Sequence, residues 1–319
     1  MTDAEKYYSS LLSRCGENGY IGYFTAADFD GLRGERVTFP SGENVIAGYF
    51  YTNASPDDIS LRSELVVFCH GLGGGHRSYM TEIDVLCRRG YTVFAFDCAG
   101  CFESSGDTTV ALSNTLNDLS SALVYLRESG TLAGYSRLHL IGHSAGGFAV
   151  AAAAGHFDGI DTVTAISPYY SPETYIRAVT HAAGRDSLFD EVCGLERKAS
   201  PDTFARTAAD GIGKGGTRFL FAHSTDDATV PFADNTGYLM SLAGDRASFL
   251  ICDGKGHNPN YTADAVAYMG EIFTAFNAHL GDLPTVEAKR EYLADVDWRR
   301  MTAQDAIFWG KVFDFMQGE

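Results

Sequence analysis

Positive charge is scarce in this chain: 24 Lys and Arg stand against 41 Asp and Glu in 319 residues, a formal net charge of -17. That deficit argues against nucleic acid as a partner, because such affinity comes largely from Lys and Arg neutralising phosphates. It disfavours an anionic membrane surface for the same reason. No run of about 18 apolar residues occurs, so no membrane span is expected. The first 19 residues are polar and carry no apolar h-region, so no signal peptide is expected either. A disulfide framework is also lacking. The seven cysteines (Cys15, Cys69, Cys87, Cys98, Cys101, Cys193 and Cys252) are odd in number and scattered. Several sit in strand-like apolar runs, where a reduced thiol behaves as a small hydrophobe. The expectation is a cytoplasmic protein without disulfides. No repeat or low-complexity linker is present.

What is there is a large apolar fraction, 45% of residues, enough for one sizeable core. Residues 36–39 and 45–51 are β-rich runs separated by Pro40, Ser41 and Gly42, which predicts a hairpin. Glu64–Cys69 is a continuous apolar run of the kind buried on both faces of a parallel sheet. A helix over 79–89 ends at Gly90, which suits a left-handed C′ position, and 91–96 is another buried strand. Leu112, Leu116, Leu119, Leu123 and Leu126 recur at spacings of four and three, drawing one helical stripe. Strands follow at 137–141, 162–166, 217–222 and 247–252, with an Ala-rich helix over 145–154. Alternating strands and helices predict an α/β fold with a mostly parallel twisted sheet and helices on both faces. Active sites in such sheets lie at the carboxyl ends of the strands.

Two stretches fall outside this alternation. Residues 168–216 separate two strands by far more than a connection needs, with helix-compatible pieces at 172–181 and 201–210. They read as an insertion into a core formed by residues 1–167 and 217–280. Residues 281–319 form a helical extension in which Thr302 and Asp305 have capping-box spacing. Phe308, Trp309, Val312, Phe313, Phe315 and Met316 then draw a broad apolar face. Packing on its own subunit is the favoured use of that face, and a homodimer the alternative.

The strand ending at Ile141 runs directly into Gly142, His143, Ser144, Ala145 and Gly146, and then into a helix. This is G-x-S-x-G, whose pattern alone arises by chance in about one chain in ten of this length. Strand before and helix after are what make it specific. Together they describe a tight turn that lifts a serine hydroxyl above the sheet, with glycines where neighbouring chain passes close. The helix beyond it favours developing negative charge at its N-terminus.

With these residues the chain resembles the α/β-hydrolase superfamily, over about residues 35–280 and nearest its esterase, monoacylglycerol-lipase and dienelactone-hydrolase-like branches. The resemblance implies roles. Ser144 would be the nucleophile, and His257, in the Gly254–Asn258 loop, the general base. The acid stands in the loop after Phe219–Ala222, where Asp226 and Asp227 compete. The family's Asp three residues before Val-Pro selects Asp227, before Val230 and Pro231. His70–Gly75 matches the oxyanion loop, so the backbone N–H groups of Leu72 and Ala145 would bind the oxyanion. The loop Asp97–Gly106 also matches, with Cys98 and Cys101 as departures. Their C-x-x-C spacing admits a redox pair, although structural roles are favoured. Metal binding is disfavoured because no second ligand pair has suitable spacing.

In the same family, residues 168–216 would cap the site, with Tyr169, Tyr170 and Tyr175 as candidate substrate contacts. The expected activity is hydrolysis of small or medium acyl or aromatic esters through an acyl-enzyme, without cofactor or metal. A peptidase, thioesterase or acyltransferase would use the same three residues, and a non-catalytic binding protein is the alternative of another class.

Overall fold

The apolar run Glu64–Cys69 lies at the centre of the molecule, and every one of its residues is buried. The computed structural model describes residues 1–318. In chain order the elements are α1 (Asp3–Leu11), β1 (Leu32–Ser41), β2 (Asn44–Asn53), β3 (Glu64–Cys69), α2 (Met80–Arg89), β4 (Thr92–Phe96), α3 (Asn114–Glu128) and β5 (Arg137–His143). They continue with α4 (Ala145–Ala153), β6 (Thr162–Ile166), α5 (Pro172–Ala182), α6 (Phe189–Ala199), α7 (Pro201–Phe204), β7 (Arg218–Ser224) and α8 (Tyr238–Ala243). The last are β8 (Ser248–Cys252), α9 (Ala263–His279), α10 (Val286–Tyr292), α11 (Trp298–Met301) and α12 (Ala306–Gln317).

The strands form one eight-stranded sheet in the order β1-β2-β4-β3-β5-β6-β7-β8. β2 is antiparallel to both β1 and β4, and every pairing from β4 through β8 is parallel. This is the expected α/β architecture. β1 starts four residues before the predicted run, because its charged outer positions, such as Arg33 and Glu35, hide the strand pattern at an exposed edge. Its hairpin turns at Gly42, whose φ of 56° lies in the left-handed region.

One face of the sheet is covered by α3 and α4. All nine residues of α4 are buried, and seven of them are Ala or Gly, which lets the helix pack closely between the sheet and α3. On the other face α2 and α12 enclose Val66, Phe68, Ile141, Ile166 and Ala222. The extension therefore supplies a core helix, with Phe308, Trp309, Val312 and Met316 buried on the chain's own sheet. By contrast, α9 buries only Ala265 and Phe276. The N-cap of α12 is Asp305, which accepts from the N–H groups of Ile307 and Phe308, whereas the Thr302 hydroxyl turns back to the Trp298 carbonyl. The predicted capping box is thus replaced by a single aspartate cap.

In the 168–216 segment the first predicted helix is α5. The second is a single turn, α7, and between them lies α6, which the sequence pattern does not announce. The apolar stripe of α6 is interrupted by a buried charge, Glu196. That carboxylate accepts from the Tyr8 hydroxyl of α1, the N–H groups of Leu112 and Ser113, and the Ser113 hydroxyl. One side chain so clips the N-terminal helix, the segment and the start of α3 together. Among the described residues no helix is long and apolar enough to cross a membrane.

Candidate active site

β5 delivers the chain to Ser144, which has φ 56° and ψ -116°. Such a backbone costs about 1–3 kcal/mol for a residue with a Cβ and persists only where the surroundings enforce it. The flanking glycines explain how they do so. A Cβ on Gly142 would lie 2.2 Å from the Gly146 carbonyl oxygen, and one on Gly146 would lie 2.0 Å from that of Cys69. Backbone occupies both spaces, so no side chain can enter. Ser144 is formally the N-cap of α4, yet its hydroxyl makes no capping bond to the first-turn N–H groups. Its Oγ has no hydrogen-bond partner among the described residues. Ser144 is 9% exposed, a recessed position rather than a surface one.

The carboxyl ends of β7 and β8 bring the predicted acid and base together. Asp227 Oδ2 accepts from His257 Nδ1 at 2.7 Å, while Oδ1 accepts from the N–H groups of Thr229 and Val230 at 2.8 and 2.9 Å. Asp227 Oδ2 also accepts from Nε2 of a second histidine, His223, at 3.0 Å. Burial would raise the Asp227 carboxyl, but hydrogen bonds from the two histidines overcome it and hold the group well below the usual carboxylate range. Asp226 does not meet an imidazole. Its carboxylate accepts from the Ser224 hydroxyl and the Gly256 N–H, tying the β7 loop to the loop that carries His257.

His257 is joined to the serine turn through the residue before the serine. His143 Nε2 donates to the His257 carbonyl at 2.8 Å, and His143 Nδ1 accepts from the Tyr79 hydroxyl at 2.8 Å. That hydroxyl in turn accepts from the Gly71 N–H at 3.1 Å. Burial lowers the His143 pKa to about 3, so its ring stays neutral and keeps this assignment. The chain Gly71–Tyr79–His143–His257 therefore ties three loops of the site to one another. Among the described residues, Ser144 Oγ makes no hydrogen bond to His257; catalytic contacts of this type often tighten only when substrate is present.

The loop after β3 lies over the serine: a Cβ on Gly71 would be 3.3 Å from Ser144 Cβ. The Leu72 N–H has no acceptor among the described residues, and Ala145 is the first residue of α4, where an N–H lacks an intrahelical partner. His70 fixes this loop by bonding the Gly71 carbonyl through Nδ1 and accepting from the Cys98 N–H through Nε2. Asp97 anchors its far end, accepting from both the N–H and Nδ1 of His76.

The three candidate substrate tyrosines are placed differently. Tyr169 is buried, stacked on Phe148 and Tyr175, and Tyr170 turns its ring against Tyr238. Two cavities adjoin the loops. One, of about 250 Å³, has Asn258, Phe24, Phe273 and Trp298 in its wall; the other, of about 490 Å³, lies between Pro231 and α5. Cys98 and Cys101 are both free thiols: the Cys101 N–H donates to the Cys98 carbonyl in a turn, the Cys98 N–H donates to His70, and Cys101 pairs with Cys15 in an isolated β-bridge. Among the described residues no group of three or more His, Cys, Asp or Glu is arranged to hold a metal ion. His223, His143 and Tyr79 belong to the site without matching any expectation drawn from the sequence. Only the position of His223 at the end of an apolar strand could have drawn notice.

The sequence profile of the alpha/beta hydrolase family matches residues 66–287. Protein YfhR of Salmonella typhi, itself uncharacterised, is 33% identical over 114 residues, which is 36% of this chain and 36% of that protein. The match thus spans about a third of that relative. Among solved structures, the Pyrococcus furiosus esterase Pf2001 is similar at TM-score 0.59 and 15% identity, covering 89% of this chain and 97% of the esterase. The Pyrococcus horikoshii acylaminoacyl peptidase is similar at TM-score 0.53 and 15% identity, covering 72% of this chain and 38% of the peptidase. At such identities the likeness shows the fold alone.

Proposed function

The chain belongs to the alpha/beta hydrolase family, and from that premise we propose that it is a serine hydrolase that cleaves carboxylic esters through an acyl-enzyme. Ser144 is the nucleophile. His257 takes its proton during attack and returns it to the leaving group, while Asp227 holds the imidazole tautomer and stabilises the imidazolium. The tetrahedral oxyanion is bound by the N–H groups of Leu72 and Ala145, donors oriented before the charge appears. Water then resolves the acyl-enzyme by the same proton path in reverse.

The observation that carries this reading is the Asp227–His257 hydrogen bond of 2.7 Å, tied through His143 to a serine held at φ 56°. An acid with four donors and a strained serine whose hydroxyl caps nothing are costly features that packing alone does not require. Residues 168–216 act as a cap on a core of 1–167 and 217–280, with 281–319 as an extension of that core. The recessed serine favours small or medium esters over a polymer. The site itself favours no amide or thioester over an ester, and the comparison with a peptidase rests on fold.

Stopped-flow hydrolysis of a p-nitrophenyl ester tests the reading. A burst of p-nitrophenol stoichiometric with enzyme, abolished in Ser144→Ala, is the expected result. Hydrolysis that survives Ser144→Ala unchanged would overturn it.

A further inference from the structure

Cys15 and Cys101 lie 86 positions apart in sequence, yet they sit directly opposite each other in an isolated parallel β-bridge. The Cys15 N–H donates to the Gly100 carbonyl at 2.8 Å, and the Phe102 N–H donates to the Cys15 carbonyl at 2.7 Å. Strands bonded in this way run about 4.8 Å apart, inside the Cα separation of about 4.4–6.8 Å that a disulfide needs. Cys15 is partly exposed, whereas Cys101 is buried.

From this juxtaposition we propose that Cys15 and Cys101 are a redox pair, oxidised to a disulfide by a low-molecular-weight disulfide such as glutathione disulfide. The Cys15 thiolate attacks one sulfur of glutathione disulfide, forming a mixed disulfide and releasing one glutathione thiolate. Cys101 loses its proton to solvent and attacks Cys15 Sγ, which forms the intramolecular bond and releases the second glutathione. Two cysteine thiols are oxidised and one glutathione disulfide is reduced to two thiols. The roles follow from exposure: Cys15 is the residue an external disulfide can reach, and Cys101 resolves. A hydrogen bond from the Cys101 thiol, with Arg14 nearby, lowers the Cys15 pKa and so favours its thiolate.

The bond would fasten a strap that is already docked. Arg14 donates to the carbonyls of Phe102, Ser104 and Gly106, fixing the strap on the loop after β4. Upstream, Tyr7 donates to the Val179 carbonyl of α5 and Tyr8 to Glu196 of α6. Oxidation therefore pins α1, and through it the 168–216 segment, to the Asp97–Gly106 loop. Cys15 Sγ also lies 3.7 Å from the position a Cβ would take on Gly73, so the bond forms beside the loop after β3. The C-x-x-C spacing misdirects here: the partner of Cys101 comes from the N-terminal strap rather than from three residues upstream.

The test treats the native full-length chain with glutathione disulfide, blocks remaining thiols with N-ethylmaleimide, and maps peptides without reduction. The expected result is a linked Cys15–Cys101 peptide, lighter than the reduced pair by two hydrogen atoms, with Tm raised by roughly 5 °C and restored by dithiothreitol. Cys98→Ser keeps the link. Cys15→Ser, at a partly exposed position, abolishes it. A stable glutathione adduct on Cys15 with Cys101 still blocked by N-ethylmaleimide after unfolding would overturn the proposal. So would a Cys98–Cys101 link. The wild-type map decides the matter even if Cys98→Ser, at a buried position, fails to fold.

Discussion

Replacing Asp227 with Asn removes one charge and no volume, yet it disturbs every hydrogen bond the carboxylate makes. The native group receives four hydrogens: two from the backbone of Thr229 and Val230 on Oδ1, and two from His223 and His257 on Oδ2. An amide has one oxygen. If that oxygen stays on the backbone N–H pair, the NH₂ group faces His257 Nδ1, which must become an acceptor. Its proton then moves to Nε2, the nitrogen that receives the Ser144 proton in the proposed mechanism. If the amide flips, its hydrogens oppose two backbone N–H groups instead. Either arrangement leaves the wrong tautomer or unsatisfied donors, and a wrong tautomer at such a position costs a factor of about 10⁴ in kcat, or about 5 kcal/mol of barrier. Asp226→Asn is the control. Its oxygen still accepts from Ser224 and Gly256, so kcat should fall less than about threefold. Ester hydrolysis by both variants, with circular dichroism to establish folding, checks the pair. Equal losses, or a larger loss for Asp226→Asn, would refute the assignment.

Buried hydrogen-bonded groups set three further outcomes. Tyr79→Phe removes the hydroxyl between Gly71 and His143, and should cost about 1–2 kcal/mol of stability with a fall in kcat larger than the change in KM, read by denaturant titration and steady-state kinetics. Glu196→Gln keeps one oxygen and turns its NH₂ group either on the Tyr8 hydroxyl and Leu112 N–H or on the N–H and hydroxyl of Ser113, and should lower stability by about 3 kcal/mol and Tm by about 6 °C in calorimetry. The depressed carboxyl of Asp227 gives stability that is complete above the unfolded aspartate pKa of about 3.9 and is lost as pH falls through the lower folded value. Wild-type Tm should accordingly drop more steeply below about pH 4 than that of Asp227→Asn.

The parts of this molecule that are legible in the sequence are those coded by local repetition. The fully buried strands β3 and β4 announce themselves as unbroken apolar runs, and the leucine stripe of α3 as a helical period. The Ser144 turn is legible because steric exclusion writes glycine at two fixed offsets. What stayed hidden depends on contacts between distant segments. The α6 stripe is broken by Glu196, whose charge is tolerable only because α1 and the start of α3 bring it four donors. Tyr79 has no local signature and matters through His143, 64 positions away, whereas His223 meets Asp227 only four positions on and is marked by nothing but its place at the end of an apolar strand. The cysteines obey the same limit. Spacing points to Cys98 and Cys101, and only the fold brings Cys15 beside Cys101. On the outer face, α9 carries as many apolar residues as a core helix, yet α12, some forty residues later, is the helix that covers the sheet.

The proposed catalysis depends on one serine hydroxyl being made nucleophilic by the imidazole and carboxylate gathered at the rim of the sheet. Incubation of the native protein with a fluorophosphonate, followed by peptide mass mapping, addresses that dependence directly. The predicted result is a single covalent adduct on Ser144, formed rapidly in the wild type and at least a hundredfold more slowly in His257→Ala (about 10² or more). An adduct on another residue, or none on a folded protein under conditions that label a control esterase, would contradict it.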